Sequence, residues 1–255
     1  FSVADGRMTD RLERASFRGE VRGRNRDAAL TGETLDAVFD GEADENPRLV
    51  QLNVARALAE DGRGGSVAAD GLEVHFARGT HGEEIDPTRV ILTGSALARR
   101  EGGESLSGGR IDAALARDEN GNVIVREAEA DTDVVFNDGA GVSGSGRTLW
   151  ADALAERVVI TGPGGRVARD GAEIAGERIE LDGPARTARV DGAGSFSHAE
   201  SSQAGGPPRT LVTTWTEGMR FDDRAGWVEC RGDAGAVAVA PDGTRDTVAA
   251  ERIEL

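Results

Sequence analysis

A short phrase that alternates apolar and polar residues recurs along this chain and limits the folds that it can adopt. The copy from Asp170 to Asp182 reads D-G-A-E-I-A-G-E-R-I-E-L-D. It places Ile179 and Leu181 on one side of a strand and charged residues on the other, which is the period-two pattern of a strand with one buried face. The last copy, E-R-I-E-L from Glu251, repeats part of this phrase letter for letter.

Related phrases begin at Gly32, Asp70, Gly108 and Gly146. The apolar residue at the matching point of each copy serves as an anchor: Leu35, Leu72, Ile111, Leu149, Ile179 and Ile253. Successive anchors lie 37, 39, 38, 30 and 74 residues apart. This spacing predicts a repeated unit of a few short strands that stacks on its neighbours. The variable length favours hairpins with loops of different size over a coil of fixed rung length.

Composition excludes several classes of protein. The chain has a net charge of −16 and contains no lysine, so it lacks both a phosphate-binding P-loop and a Schiff-base lysine. The negative balance also argues against nucleic acid as a partner. Cys230 is the single cysteine, which excludes an internal disulfide framework and a cysteine-rich zinc site. With 36 glycines and 4% aromatic residues, the composition suits an elongated stack of sheets.

The turn signals predict an all-β protein of roughly eighteen short strands and no helix. We expect two separate return strands, R-V-I-L-T-G from Arg89 and a second over 96–100, and a turn at the G-P-G-G that begins at Gly162. G-A-G-V-S-G-S-G from Gly139 is expected to be a flexible loop. It does not resemble a nucleotide cradle, because no helix start follows it.

Three parts are predicted along the chain. Residues 1–196 form repeated β units, 197–208 form a loop or linker that ends in G-G-P-P, and 209–255 form a further unit that continues the same sheet stack. The chain begins at Phe1 without an initiator methionine or a signal peptide and stops on a strand phrase. We therefore expect it to be a segment of a longer protein.

One stretch carries a family resemblance. Thr213 to Ala234 reads T-T-W-T-E-G-M-R-F-D-D-R-A-G-W-V-E-C-R-G-D-A and leads into V-A-A-E-R-I-E-L from Val248. This order resembles the OstA-like family of LptA-type lipopolysaccharide-transport proteins, in which a G-M-x-F/Y-D…A-x-F-x-G-x-V phrase precedes a strand of the form L-x-A-D-x-L-x-L. A similar order of sequence motifs occurs over 15–39 and 157–181.

The resemblance implies an elongated, twisted, incomplete β-jellyroll. Two antiparallel sheets, built from repeated hairpin units, would form a trough whose apolar interior accepts lipid acyl chains. For each candidate residue alone, an ordinary place in a sheet core remains the alternative. The lipid-groove candidates are Leu35, Phe39, Leu52, Leu72, Val74, Phe76, Leu92, Ile111, Leu115, Val125, Phe136, Leu149, Val158, Ile160, Ile179, Leu181, Val190, Trp215, Phe221 and Ile253.

No residue pattern singles out a catalytic or metal site. His75 is expected on the solvent face of a strand, and His81 and His198 in loops, so their convergence on Glu83 or Asp86 is not predicted. Two acidic groups could ligate calcium, but neither matches a known calcium-loop pattern, and turn chemistry explains them better. These groups are Asp131, Asp133, Asn137 and Asp138, and Asp118, Glu119 and Asn120. Cys230 is expected to be a small core residue.

The sequence therefore predicts a non-enzymatic protein of the periplasm or cell envelope, without a cofactor, that binds lipid or lipopolysaccharide acyl chains in an apolar groove. The strand phrase at Leu255 also suggests head-to-tail β-strand pairing with other envelope-assembly proteins. The alternatives are a structural β-solenoid or adhesin-like stalk with a closed core, and a polysaccharide-acting enzyme on a repeated β scaffold. An open groove distinguishes the carrier from the stalk, and a clustered carboxylate pair would favour the enzyme.

Overall fold

The structure is a computed structural model that describes residues 2–4, 7–9, 12–24, 28–40, 47–78, 85–200, 209–240 and 242–254. The described residues contain strands and turns but no helix, so none of them forms a helix long and apolar enough to cross a membrane. The predicted all-β class is confirmed. The strands are β1 Ser2–Ala4, β2 Arg7–Thr9, β3 Arg14–Arg24, β4 Ala28–Asp40, β5 Arg48–Asp61, β6 Ser66–Arg78, β7 Ile85–Arg99, β8 Ser105–Arg117, β9 Val123–Asn137, β10 Ser143–Asp152, β11 Arg157–Arg169, β12 Ala172–Asp182, β13 Thr187–Glu200, β14 Arg209–Trp215, β15 Gly218–Asp222, β16 Trp227–Val239 and β17 Arg245–Glu254.

The chain divides into two compact units, Phe1–Ala130 and Asp131–Leu255, with the boundary inside β9. In the first unit, β1 pairs with β2, and β3 to β8 pair antiparallel in chain order. In the second unit, β10 to β13 pair in the same way. β13 then pairs with both β14 and β15, β16 also pairs with both, and β17 pairs with β16. The predicted repeat of antiparallel hairpins is confirmed.

The predicted linker at 197–208 begins inside a strand. Residues 197–200 are the last part of β13, and residues 201–208 lie outside the described part of the chain. The three-part division of the chain made from the sequence stays a prediction.

Most strands are longer than the sequence suggested, because bulges inside them carry the residues that we read as turns. The two return strands predicted around Gly94 are one strand, β7, in which Gly94 and Ser95 have φ of 68° and 48°. The turn predicted at Gly162 is a bulge in β11, which continues to Arg169. The loop predicted from Gly139 ends at Val142, and the next four residues begin β10. Glycine at positive φ is common to turns and bulges, so composition alone does not separate them.

The bulges fall near the middle of successive strands. The corresponding register shifts separate Arg18 from Val21, Ala68 from Gly71, Thr93 from Ala96, Ser145 from Thr148, Thr161 from Gly165, Gly176 from Arg178 and Arg231 from Ala234. We call this succession the bulge line. Because an inserted residue bends a strand and increases its twist, we expect each unit's sheet to bend at the bulge line.

A row of cross-strand apolar residues runs beside the bulge line in each unit, and we call it the spine. The spine of the first unit is Leu35, Val54, Leu72, Leu92 and Ile111, each paired with the next. The spine of the second unit is Leu149, Ile160, Ile179, Val190, Met219, Cys230 and Ile253. All six anchors of the repeated phrase lie in these rows, and every spine residue except Leu35 is buried.

Close packing against the next strand explains why a glycine precedes the anchor at a fixed distance in the repeated phrase. Gly176 lies across the bulge line from Ile179, and a Cβ atom added to it would lie 2.4 Å from Cγ1 of Val190 on the next strand. A Cβ on Gly32 would similarly lie 2.3 Å from Cγ1 of Val54. A Cβ on Gly146 would lie 2.4 Å from Cγ2 of Ile160. The phrase thus supplies one spine residue and the space for the spine residue of the following strand.

Three turns of the second unit share a motif that we did not recognise in the sequence, D-x-x-A, at Asp152, Asp182 and Asp222. In each turn the aspartate Oδ1 accepts a hydrogen bond of 2.8–2.9 Å from the backbone N–H of the alanine. The residue after the alanine has positive φ: 50° at Glu156, 57° at Arg186 and 68° at Gly226.

The D-x-x-A turns are stacked by backbone hydrogen bonds. Gly183 N–H donates to the carbonyl of Glu156 at 3.0 Å, and Asp223 N–H donates to the carbonyl of Arg186 at 3.1 Å. Arg186 Nε also donates to Asp223 Oδ2 at 2.9 Å. The repeated turn therefore propagates the stacking of the strands along this edge of the unit.

Candidate apolar binding surface

The apolar face of the first unit loses burial with distance from the bulge line. Val54, Leu72 and Leu92 in the spine are 2–5% exposed. In the next row, two residues farther along each strand, the side chains are half-buried apart from the small Ala37. That row is Ala37, Leu52, Val74, Val90 and Ala113. Phe39, Phe76 and Leu115, two residues farther still, are also half-buried.

The second unit has the same gradient with a more complete spine. Ile179 and Cys230 have no measurable exposure, and Ile160 and Val190 are 1% exposed. The next row is Ala151, Val158, Leu181, Ala188, Phe221 and Val228. Along this row, buried Ala188 and Val228 alternate with the larger Leu181 and Phe221, which are half-buried. Apolar side chains are thus densely packed beside the bulge line and more accessible away from it.

The twenty lipid-groove candidates fall into three groups. The buried candidates are Leu72, Leu92, Ile111, Leu149, Ile160, Ile179, Val190, Trp215 and Ile253. The half-buried candidates are Leu35, Phe39, Leu52, Val74, Phe76, Leu115, Phe136, Val158, Leu181 and Phe221. Val125 is 44% exposed. The half-buried group has the accessibility that contact with a ligand requires, whereas the buried group already packs within the protein.

Three spine residues were absent from the candidates. These residues are Val54, Met219 and Cys230. Their alignment follows from register, since Val190 pairs with Met219 and Met219 pairs with Cys230. The glycine-to-anchor spacing of the phrase does not find them, because no glycine lies three positions from Val54, Met219 or Cys230.

The side chain of Trp215, the last residue of β14, fills a space in the packed interior. Its side chain is 2% exposed, and its Nε1–H donates to the carbonyl of Gly192 at 3.0 Å. A Cβ on Gly194 would lie 2.7 Å from Cζ2 of Trp215, so the indole occupies the space that this glycine leaves open. The buried indole N–H is satisfied, and the ring packs over the glycines of β13.

The face opposite the spine is charged and extensively paired. Arg89 donates from Nε and Nη2 to the two carboxylate oxygens of Asp112, both at 2.7 Å. These hydrogen bonds, with a further one from Arg110, hold the pKa of Asp112 below its usual range. Charges on one face and aliphatic residues on the other fix the register of each strand, because a one-residue slip would exchange them.

The polar candidates have structural roles in the described residues. His75 lies on the charged face, as predicted, with Nε2 2.6 Å from Oε1 of Glu73. His198 is in β13 rather than in a loop, and its ring stacks on Phe196 with centroids 6.4 Å apart. His81 and Glu83 lie outside the described residues.

Among the residues considered as calcium ligands, Asp118 and Asp138 belong to turns, whereas Asp131 and Asp133 lie inside β9, so turn chemistry does not explain those two. Asp118 accepts hydrogen bonds from the backbone N–H groups of Asn120 and Asn122, and Asp138 accepts two in the same way. The hydrogen bonds from Asn122 hold the pKa of Asp118 below its usual value. No group of three or more His, Cys, Asp and Glu side chains in the described residues is arranged to hold a metal ion.

Cys230 is a core residue, as predicted from its strand. It has no measurable exposure, and burial raises the pKa of its thiol to about 11, with a further contribution from the charge of Glu229. Such a thiol is protonated at neutral pH and packs as a small apolar side chain.

Comparisons with known proteins find matches only among solved structures. No family model matches the chain, and no curated protein matches it. Among solved structures, the chain is similar to LptH from Pseudomonas aeruginosa, described as the LptA-homologous periplasmic component of the conserved lipopolysaccharide transport device. The similarity has a TM-score of 0.36 at 18% identity and covers 57% of this chain and 90% of LptH.

Proposed function

We propose that this protein is a non-enzymatic carrier of lipid acyl chains, of the lipopolysaccharide type, that acts in the periplasm. The observation that carries the proposal is the burial gradient on the apolar faces. A spine of 2–5% exposed residues is followed by half-buried Leu52 and Val74 and then by half-buried Phe39 and Phe76. A sheet that bends at the bulge line would enclose a trough, closed at the spine and open at the outer rows.

The chemistry of these rows suits an acyl chain. They consist of aliphatic and phenyl side chains without a charged residue among the row positions from Leu52 to Ala113. Transfer of hydrocarbon from water to such a surface is favourable by about 0.8 kcal/mol for each buried CH2 group. The charged face lies on the other side of the same strands, so a polar head group would stay at the rim while the acyl chain is shielded.

Binding of a pyrene-labelled fatty acid, and of purified lipopolysaccharide in competition with it, tests the proposal. Val74→Glu would place a carboxylate in the half-buried row. An acyl chain bound there would remove water from this carboxylate, which is unfavourable, so we expect at least a tenfold loss of affinity. Val135→Glu is the control, because Val135 is 53% exposed. Circular dichroism shows whether both variants stay folded. Absence of lipid binding by the unmodified protein would contradict the carrier and favour the closed-core stalk.

The edge strand β17 extends the proposal to assembly with other envelope proteins. Within the described chain, β17 pairs only with β16, and all of its residues except Ile253 are exposed. An unpaired edge offers backbone N–H and C=O groups to a strand from another chain. A photoreactive amino acid introduced at position 247 should form cross-linked adducts with a partner strand, and Val248→Pro in the same variant should abolish them by removing a backbone donor.

A further inference from the structure

The second unit contains a cleft whose charged lining residues lie on the face opposite the spine side chains, and which the spine residues Val190 and Met219 also border. It has a volume of about 180 Å³ and lies across β13, β15 and β16. Three arginines and three acidic residues line it: Arg189, Arg220 and Arg231, with Asp191, Glu217 and Glu229. We call it the arginine cleft. It is several times larger than the roughly 30 Å³ that one water molecule occupies in the liquid, so a polyatomic ion can enter it.

The strand register concentrates positive charge at the centre of the cleft. Arg220 stands directly opposite Arg189 on one neighbouring strand and opposite Glu229 on the other. Like charges directly opposite one another in an antiparallel sheet are destabilising. The opposition of two guanidinium groups therefore needs a compensating negative charge.

The acidic residues on either side already have partners. Arg231 donates from Nη2 to both carboxylate oxygens of Glu229 at 2.9 and 3.0 Å, and Arg252 Nε lies 2.6 Å from Oε1 of the same carboxylate. Glu229 is only 4% exposed, and these contacts hold its pKa below the usual range. On the other side, Asp191 Oδ1 accepts a hydrogen bond from Arg189 Nε at 2.8 Å. Both carboxylates are thus neutralised in place.

Arg220 is left with unused donors. Within the described part of the chain, no hydrogen bond or ion pair engages its side chain, although its charge contributes to the lowered pKa of Glu229. A guanidinium carries five N–H donors in a planar fork that matches the oxygens of a phosphate or carboxylate. Among the described residues, Arg189 hydrogen-bonds only through Nε, to Asp191, so its other N–H donors also face no protein acceptor there. The cleft therefore has an excess of donors over acceptors.

We infer that the arginine cleft binds a phosphate group, with Arg220 as the main ligand and Arg189 and Arg231 at its sides. The phosphate is either a free ion or part of a lipid head group, and both present the same oxygens to the guanidinium forks. Glu217 is the carboxylate that opposes this binding, since its side chain lines the cleft and its charge repels the anion. The inference is independent of the acyl-chain proposal, because it uses the opposite face of the strands.

Calorimetric titration of the full chain with inorganic phosphate at low ionic strength tests the inference, because salt screens exposed charges. We expect Arg220→Gln to weaken binding about tenfold, the effect of losing charge-assisted hydrogen bonds. Arg126→Gln, at an exposed arginine of the first unit, should leave it unchanged, and Glu217→Gln should strengthen it. Failure of the unmodified protein to bind phosphate, or equal binding by Arg220→Gln, would overturn the inference.

A second titration identifies the source of the phosphate. Vesicles that contain phosphatidic acid should bind the protein in competition with inorganic phosphate if the ligand is a head group, with phosphatidylcholine vesicles as the reference. If the protein binds inorganic phosphate but not these vesicles, the ligand of the cleft is the free ion. Arg220→Gln should keep its affinity for the pyrene-labelled fatty acid, so failure of this inference is distinguishable from failure of the carrier proposal.

Discussion

Val190 occupies the space above Gly176, so that a Cβ atom on the glycine would lie 2.4 Å from Cγ1 of the valine. The two residues lie on neighbouring strands and on opposite sides of the bulge line. This relationship recurs between Gly32 and Val54 and makes the glycine a packing requirement of the spine. It also explains why the anchor follows the glycine by three positions in the copies at Gly32, Gly146 and Gly176 while the loops vary in length.

Substitution of Gly176 by alanine should destabilise the fold. The added methyl group must displace the buried Val190, and overpacking of this kind costs about 1–3 kcal/mol. Chemical denaturation measures the change in the free energy of unfolding. Gly235→Ala is the matched control within a strand, because its Cβ would be 3.5 Å from Oγ1 of Thr214, an ordinary contact. Equal stability of the two variants would show that the glycine is not needed for packing.

The D-x-x-A turns predict a backbone effect at Gly226. This glycine has φ of 68° and nothing within 4 Å of an added Cβ, so Gly226→Ala changes the backbone energy without a clash. We expect a loss of about 1 kcal/mol in the free energy of unfolding, the cost of left-handed φ for a residue with a Cβ.

Gly102→Ala is the control for the Gly226 substitution, because it also meets nothing within 4 Å but does not require positive φ. It should be neutral or slightly stabilising. Gly226→Asn should recover part of the loss at position 226, since asparagine tolerates this conformation better than alanine. A loss as large for Gly102→Ala would contradict the conformational explanation.

Burial of Cys230 predicts that its thiol resists alkylation. With a pKa of about 11, it is protonated at pH 8, and iodoacetamide should modify it only after unfolding. Because the folded pKa lies above the ordinary value of 9.0, the contribution of this thiol to stability is complete below pH 9 and is lost as the pH rises towards 11. Mass spectrometry before and after denaturation checks the reactivity, and rapid modification of the folded protein would contradict the assigned burial.

The sequence was sufficient to predict the strands, their hairpin order and most of the spine, because all six anchors lie in the spine and five of them are buried. It was insufficient for strand length, since Gly94 and Gly162 have the composition of turns but lie in bulges. It also missed the arginine cleft. Arg189, Arg220 and Glu229 are far apart in the chain and meet only through the register of three strands.

The face that meets lipid is the central claim, and cross-linking along β6 tests it most directly. A photoreactive amino acid is introduced at Val74, in the half-buried apolar row, and in a second variant at His75, which points to the charged face beside Glu73. Both proteins are irradiated with bound lipopolysaccharide, and the adducts are identified by mass spectrometry. The carrier proposal predicts acyl-chain adducts from position 74 and none from position 75. Adducts from both positions alike, or only from position 75, would contradict it.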